Sequence, residues 1–202
     1  MTGERPTHKV AFSGAGCVGK TALMEAVRFD VEAPWVGFID EAARVYFSGT
    51  GSQIPLSRRD DFGPQSDIQT MAISSEEIAN AQGLDVLFTD SSVSDAAVFV
   101  ASTGDNEGAE RLFERVRAWI PGSDSDIAYS RIYVLDPADV PYETDAIRQE
   151  SLQTHQRHHQ TFLDFFGSHG IAHQLLSGTL RQRTNTVLEG LPKIDRTGLR
   201  DL

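Results

Sequence analysis

Residues 10–23 read VAFSGAGCVGKTAL. A short apolar run, Val10 to Phe12, gives way to a turn with glycine at 14, 16 and 19, and Lys20 and Thr21 follow at the start of a segment of helical character. Gly14-Ala15-Gly16-Cys17-Val18-Gly19-Lys20-Thr21 satisfies the phosphate-loop (Walker A) pattern G-x-x-x-x-G-K-S/T, with the strand before it and the helix after it that the mechanism needs. Glycines let the backbone curl so that successive N–H groups converge on phosphate oxygens, and the helix N-terminus adds a partial positive charge. Lys20 is expected to bridge the β- and γ-phosphates of a nucleoside triphosphate, and the Thr21 hydroxyl to ligate Mg²⁺. Cys17 is the sole cysteine, so no internal disulfide can form; its place in the loop fits a small side chain better than a redox switch.

Outward from this loop, β-rich runs alternate with segments of helical period. Strands are expected at 8–14, 35–40, 85–90, 131–136 and 171–176, and helices at 19–29, 41–48, 65–82, 91–102, 107–119, 143–168 and 179–190. Five strands separated by helices predict an α/β fold, a three-layer αβα P-loop domain whose parallel sheet is covered on both faces. The 143–168 segment is polar in its first half and apolar in its second, as a lid over a site would be, and a lid is expected over about 137–160. Residues 47–65, FSGTGSQIPLSRRDDFGPQ, read as a long exposed loop, and about 191–202 as a loosely attached tail. The 202 residues suit one domain.

The formal net charge of −11 disfavours a surface that grips nucleic acid or lies on anionic lipid. No apolar run approaches ~18 residues, and MTGERPTHK begins without a secretory apolar region, so a cytoplasmic protein is expected. Oligomeric state leaves no mark in the sequence.

What receives the γ-phosphoryl group depends on residues elsewhere. Asp60-Asp61-Phe62-Gly63 matches the D-x-x-G of GTPase switches, but IPLSRR before it is no buried strand, and N-K-x-D is absent. A kinase needs carboxylates at the carboxyl ends of neighbouring strands. Asp40 and Glu41 end the second strand and Asp90 the third. Asp40 or Glu41 could take a proton from an acceptor hydroxyl, and Asp90 could hold metal or substrate. Helix capping is the competing reading of these aspartates and the preferred one for Asp95. Arg148 and Arg157 lie on the wet half of the 143–168 helix, where they would spread over the transferring charge. His155, His158 and His159 share a helical face; without a carboxylate or cysteine at ligand spacing, a solvated face is favoured over a metal site.

The stretches FSGAGCVGKTALMEAV, FIDEAARVYF, LFTDSSVSDAAVF, VPYETDAIRQES and LLSGTLRQR together resemble the NadR/TTD14-like AAA domain family, a P-loop kinase-like group that includes the nicotinamide riboside kinase domain of bacterial NadR proteins. The likeness runs from about residue 8 to 190. It implies that Glu41 and Arg44 stand at the acceptor side, and that Tyr142, Asp145, Arg148 and Glu150 form the lid motif. It also implies that Gly178 and Arg183 line the adenine end, although a surface arginine explains Arg183 equally well. Where the family usually has D-R-x-x-x-D, Asp90 and Asp95 keep the acids and Ser91 replaces the arginine.

The resemblance therefore implies an ATP- and Mg²⁺-dependent kinase acting on a hydroxyl of a nucleoside or nucleotide-like small molecule. Two alternatives accompany it: a phage-type kinase of a modified base in DNA, and a regulatory NTPase that binds nucleotide.

Overall fold

The computed structural model describes residues 6–31, 33–139 and 151–192. Five parallel strands form one sheet in the order β2-β3-β1-β4-β5: β1 is His8–Ser13, β2 Val36–Ile39, β3 Val86–Asp90, β4 Arg131–Leu135 and β5 Gln174–Leu176. β1 lies between β3 and β4, with Phe12 in register with Asp90 on one side and Tyr133 on the other. The phosphate loop therefore leaves the middle of the sheet, beside the tip of β3.

Side chains alternate across this sheet and fill two cores. Val10 and Phe12 of β1, with Phe88, Tyr133 and Leu135, pack beneath helix α1 (Lys20–Asp30) and helix α7 (Leu180–Glu189). Ala11, Ile132 and Val134 face the opposite layer. That layer contains α4 (Asp95–Ser102), α5 (Asn106–Arg115) and α6 (Leu152–Ser168). Between β2 and β3 the chain forms α2 (Ala42–Ser48) and α3 (Phe62–Asn80).

Several expected boundaries move. α3 begins at Phe62 and takes Gly63 and Pro64 into its first turn, so the exposed loop is shorter than 47–65. Proline is tolerated there because the first-turn N–H groups have no intrahelical partner. The D-x-x-G residues Asp60–Gly63 thus open a helix and follow a 3₁₀ turn, Leu56–Arg58, with no strand before them. The expected helix over 91–102 starts only at Asp95, and that over 107–119 is α5 followed by a separate 3₁₀ turn, Arg117–Trp119. β5 is only Gln174–Leu176. α6 starts after Ser151, whose hydroxyl accepts from the Thr154 amide; 143–150, with Tyr142 before it, lie outside the described residues, as does the tail from 193.

The histidine face of α6 is also corrected. His155 and His158 are buried, not solvated, because they continue the stripe of Phe162, Phe165 and Phe166 that seals one core. Phe99 meets His158 edge-on at 5.4 Å. An imidazole presents an apolar body to such a stripe and keeps a polar tip. Among the described residues no helix is long and apolar enough to cross a membrane.

Candidate phosphoryl-transfer site

The loop between β1 and α1 holds its curl through backbone conformations that favour glycine. Gly14 has φ 132° and Gly19 φ 87°, while Cys17 adopts φ 57°. Lys20, the first residue of α1, is buried, and its ammonium donates to the Gly14 and Ala15 carbonyls at 2.8 Å each. One turn of chain thus binds its own lysine within the loop that carries the phosphate pattern.

Thr21 supplies the link to the sheet. Its hydroxyl donates to Asp90 Oδ2 at 2.8 Å, joining α1 to the tip of β3. A hydroxyl and a carboxylate side by side are a hard-oxygen set, the kind that Mg²⁺ accepts along with phosphate oxygens and water. Among the described residues no cluster of three or more His, Cys, Asp or Glu is arranged to hold a metal ion by itself. The fit to Mg²⁺ is therefore one in which a nucleotide completes the shell, as in phosphate-loop proteins.

Asp40 and Glu41 diverge at the end of β2. Both line a cleft beside the phosphate loop, but Asp40 is largely exposed and pairs with Arg28 at 2.9 Å, whereas Glu41 is 7% exposed. The cleft runs between the tips of β2 and β3 and is walled by α2, α3 and α4. Arg44, one turn along α2, has its Nε 3.8 Å from Glu41 Oε2 and lines the same cleft. Asp90 lines it as well, so Glu41, Arg44 and Asp90 are brought together; Gly16 marks its contact with the phosphate loop.

Asp95 belongs to this assembly and does not cap α4. Its Oδ1 accepts from the Ser13 hydroxyl at 2.7 Å and from Ser92 at 2.6 Å, while α4 has no side-chain cap. Burial pushes its carboxyl up to about 7, against the downward pull of the Lys20 charge and of the two hydroxyls; Asp90 adds a small upward push. Ser13 and Ser92 escaped the sequence reading because serines beside a glycine turn and a strand tip look like ordinary turn chemistry. Ser91 has φ 90° and donates its N–H to the Phe12 carbonyl, a strained backbone for a non-glycine residue at the β3 tip.

The arginines separate. Arg183 is 2% exposed and donates to the carbonyls of Gly178 at 2.8 Å, Val18 at 3.2 Å and Asp136 at 2.6 Å. The surface-arginine reading is therefore wrong: this side chain ties α7 to the phosphate loop and to the end of β4. Arg157 is exposed on α6 and is not among the residues lining the cleft. Arg148, with Asp145 and Glu150, lies outside the described residues.

A sequence profile for the AAA domain matches residues 9–183. The chain belongs to the AAA domain family. Among solved structures it is similar to a NadR protein in complex with NR (TM-score 0.66, 17% identity), covering 90% of this chain and 48% of the other. A NadR protein in complex with NAD and AMP-PNP is similar at TM-score 0.65 and 16% identity, covering 98% and 52%. The chain thus spans about half the length of these NadR chains. Thymidylate kinase from Ehrlichia chaffeensis matches at TM-score 0.59 and 13% identity, over 92% of this chain and 98% of that one. No curated protein sequence matches the chain. At such identities the likeness shows the fold, that of P-loop kinases.

Proposed function

We propose that the protein is an ATP- and Mg²⁺-dependent kinase that transfers the γ-phosphoryl group to a hydroxyl of a nucleoside or nucleotide-like small molecule. The observation that carries this reading is the Thr21–Asp90 hydrogen bond, which fixes the metal-side hydroxyl of the phosphate loop against an acid that also lines a cleft holding the buried Glu41.

In this reading the amides of residues 14–19 and the ammonium of Lys20 hold the triphosphate, with Arg183 keeping the loop in place from behind. Thr21 and Asp90 are the side chains that would hold Mg²⁺, and the ion would supply neutralisation of phosphate charge. Glu41 accepts the proton of the acceptor hydroxyl as its oxygen bonds to phosphorus and ADP leaves; Arg44 orients the acceptor and the Glu41 carboxylate. Asp40, turned to Arg28, is the weaker candidate for base. Arg148 and Arg157 would stabilise the equatorial oxygens from the lid side. An ATP-fed reaction of this kind belongs in the cytoplasm.

The neighbours support the acceptor class through their ligands, nicotinamide riboside in one and AMP-PNP with NAD in another, but the acceptor here is our proposal. The decisive experiment offers γ-labelled ATP together with nucleosides, nucleotides, DNA and RNA in parallel. Label on a free nucleoside or nucleotide is expected. Hydrolysis indifferent to every acceptor would replace the kinase with a nucleotide-binding NTPase, and label on DNA alone would replace it with a DNA-base kinase.

A further inference from the structure

We infer that Gln69 reads the acceptor: its carbonyl oxygen is the hydrogen-bond acceptor for an N–H group on the edge of the acceptor's heterocycle. This deepens the kinase proposal and rests on it for the nucleoside character of the acceptor.

Gln69 stands on α3 in the wall of the cleft and is 1% exposed. Its Nε2 donates to the backbone carbonyls of Val93 at 3.0 Å and Leu112 at 3.1 Å. Both amide hydrogens are thereby committed, and the orientation is fixed, because a flipped amide would set an oxygen against two carbonyl oxygens. Oε1 is left at the other corner of the amide, closed off from bulk water and with no hydrogen-bond partner among the described residues. Buried amide oxygens in folded proteins are nearly always paired, and an unpaired one marks a place where something else supplies the donor.

The neighbouring lining narrows what that donor is. Phe47, Ile68, Ala72 and Phe99 line the same cleft and present apolar surface, which suits the faces of a flat ring. A ring edge offering an amino, amide or imide N–H satisfies Oε1. An edge offering only a ring nitrogen or a carbonyl oxygen is repelled. Thr89 Oγ1, buried in the same lining and also without a partner among the described residues, can either donate or accept. It adds a contact and does not discriminate, so the choice falls to Gln69.

The test is calorimetric binding of matched nucleosides to the full chain with Mg²⁺ and AMP-PNP: adenosine against purine riboside, cytidine against 2-pyrimidinone riboside, and uridine against 3-methyluridine. Each second member lacks the N–H donor. In at least one pair the donor-bearing member is expected to bind roughly tenfold or more tightly, since sites built around a hydrogen bond reject analogues that lack it. In Gln69→Met that ratio falls towards one; any loosening of Val93 or Leu112 in the variant weakens both members alike and leaves the ratio readable. Should the variant fail to fold, the wild-type ratios alone decide. Equal binding of every pair by the wild type, or an unchanged ratio in folded Gln69→Met, overturns the assignment. With ATP in place of AMP-PNP, discrimination in binding without phosphorylation of either member sinks the kinase proposal and upholds Gln69; phosphorylation without discrimination does the reverse, and no binding by any nucleoside removes the Gln69 assignment while the acceptor screen still decides the kinase.

Discussion

Lys20 and Asp95 show how differently two buried charges at one site can behave. The Lys20 ammonium is satisfied by the carbonyls of Gly14 and Ala15, so replacing it leaves only well-placed carbonyls behind. Lys20→Ala is expected to lower phosphoryl transfer by at least 10²–10³-fold, roughly the cost of removing one preorganised charge from a transition state, while the thermal midpoint changes little. Turnover retained in that variant would rule out the scheme. Asp95 is the reverse case. Its carboxyl is raised by burial from 3.8 to about 7, so between those values the folded chain holds a proton that the unfolded chain has lost. Stability contributed by this group is full below the unfolded value and declines as pH rises through the folded one. Denaturant midpoints at pH 5 and pH 8 should show wild type losing about 2–3 kcal/mol more over that interval than Asp95→Asn, in which the titration is gone. Parallel losses in the two proteins would mean that Asp95 ionises normally. At this scale the phosphate loop was legible because its eight positions carry their mechanism locally. Asp95 was not, because its partners Ser13 and Ser92 come from two strand tips that only the fold brings together.

Elements meet through buried polar links as well as apolar packing, and one such link joins β1 to α3. Lys9, fully buried, lies 2.5 Å from Glu76 Oε2 and donates to the Ile127 carbonyl at 2.7 Å; the Tyr129 hydroxyl donates to the other Glu76 oxygen. Burial alone raises the Glu76 carboxyl, and the Lys9 charge opposes it. Breaking one partner of a buried pair strands the other, so Glu76→Gln is expected to cost about 3–5 kcal/mol of unfolding free energy. Adding Lys9→Met to that variant should recover part of the loss, because the stranded ammonium is then removed. Simple addition of two losses in the double variant would show that no such charge coupling exists. The sequence offered Lys9 as a strand residue and Glu76 as a helix residue without relation, since 67 positions separate them. Helix and strand existence was readable from period and turn residues. The start of α3 was not, because Gly63 and Pro64 look like loop punctuation until they sit in a first helical turn, and the wet appearance of α6 hid imidazoles that pack as core.

The whole molecule sets where phosphate goes and leaves the acceptor to local walls. With β1 central, β3 and β2 on one side of it and β4 and β5 on the other, the crevice at the strand tips falls at the phosphate loop, which is where open parallel sheets bind ligands. NadR and thymidylate kinase structures share this arrangement, so the fold alone does not select among acceptors. Charge does bear on the choice. At −11 the chain repels a polyanion overall, and Arg58, the exposed arginine before α3, already pairs with Asp61 at 2.9 Å. A protein that neutralises six to ten phosphates loses roughly 10³–10⁵ in affinity between about 50 and about 200 mM salt, whereas one small acceptor releases few counterions. Label transfer to a free nucleoside is therefore expected to change by less than about threefold over that salt range. A collapse of several orders of magnitude, with label recovered on DNA or RNA, would place the acceptor on a polynucleotide and require a basic path that the cleft between α2 and α3 does not by itself provide.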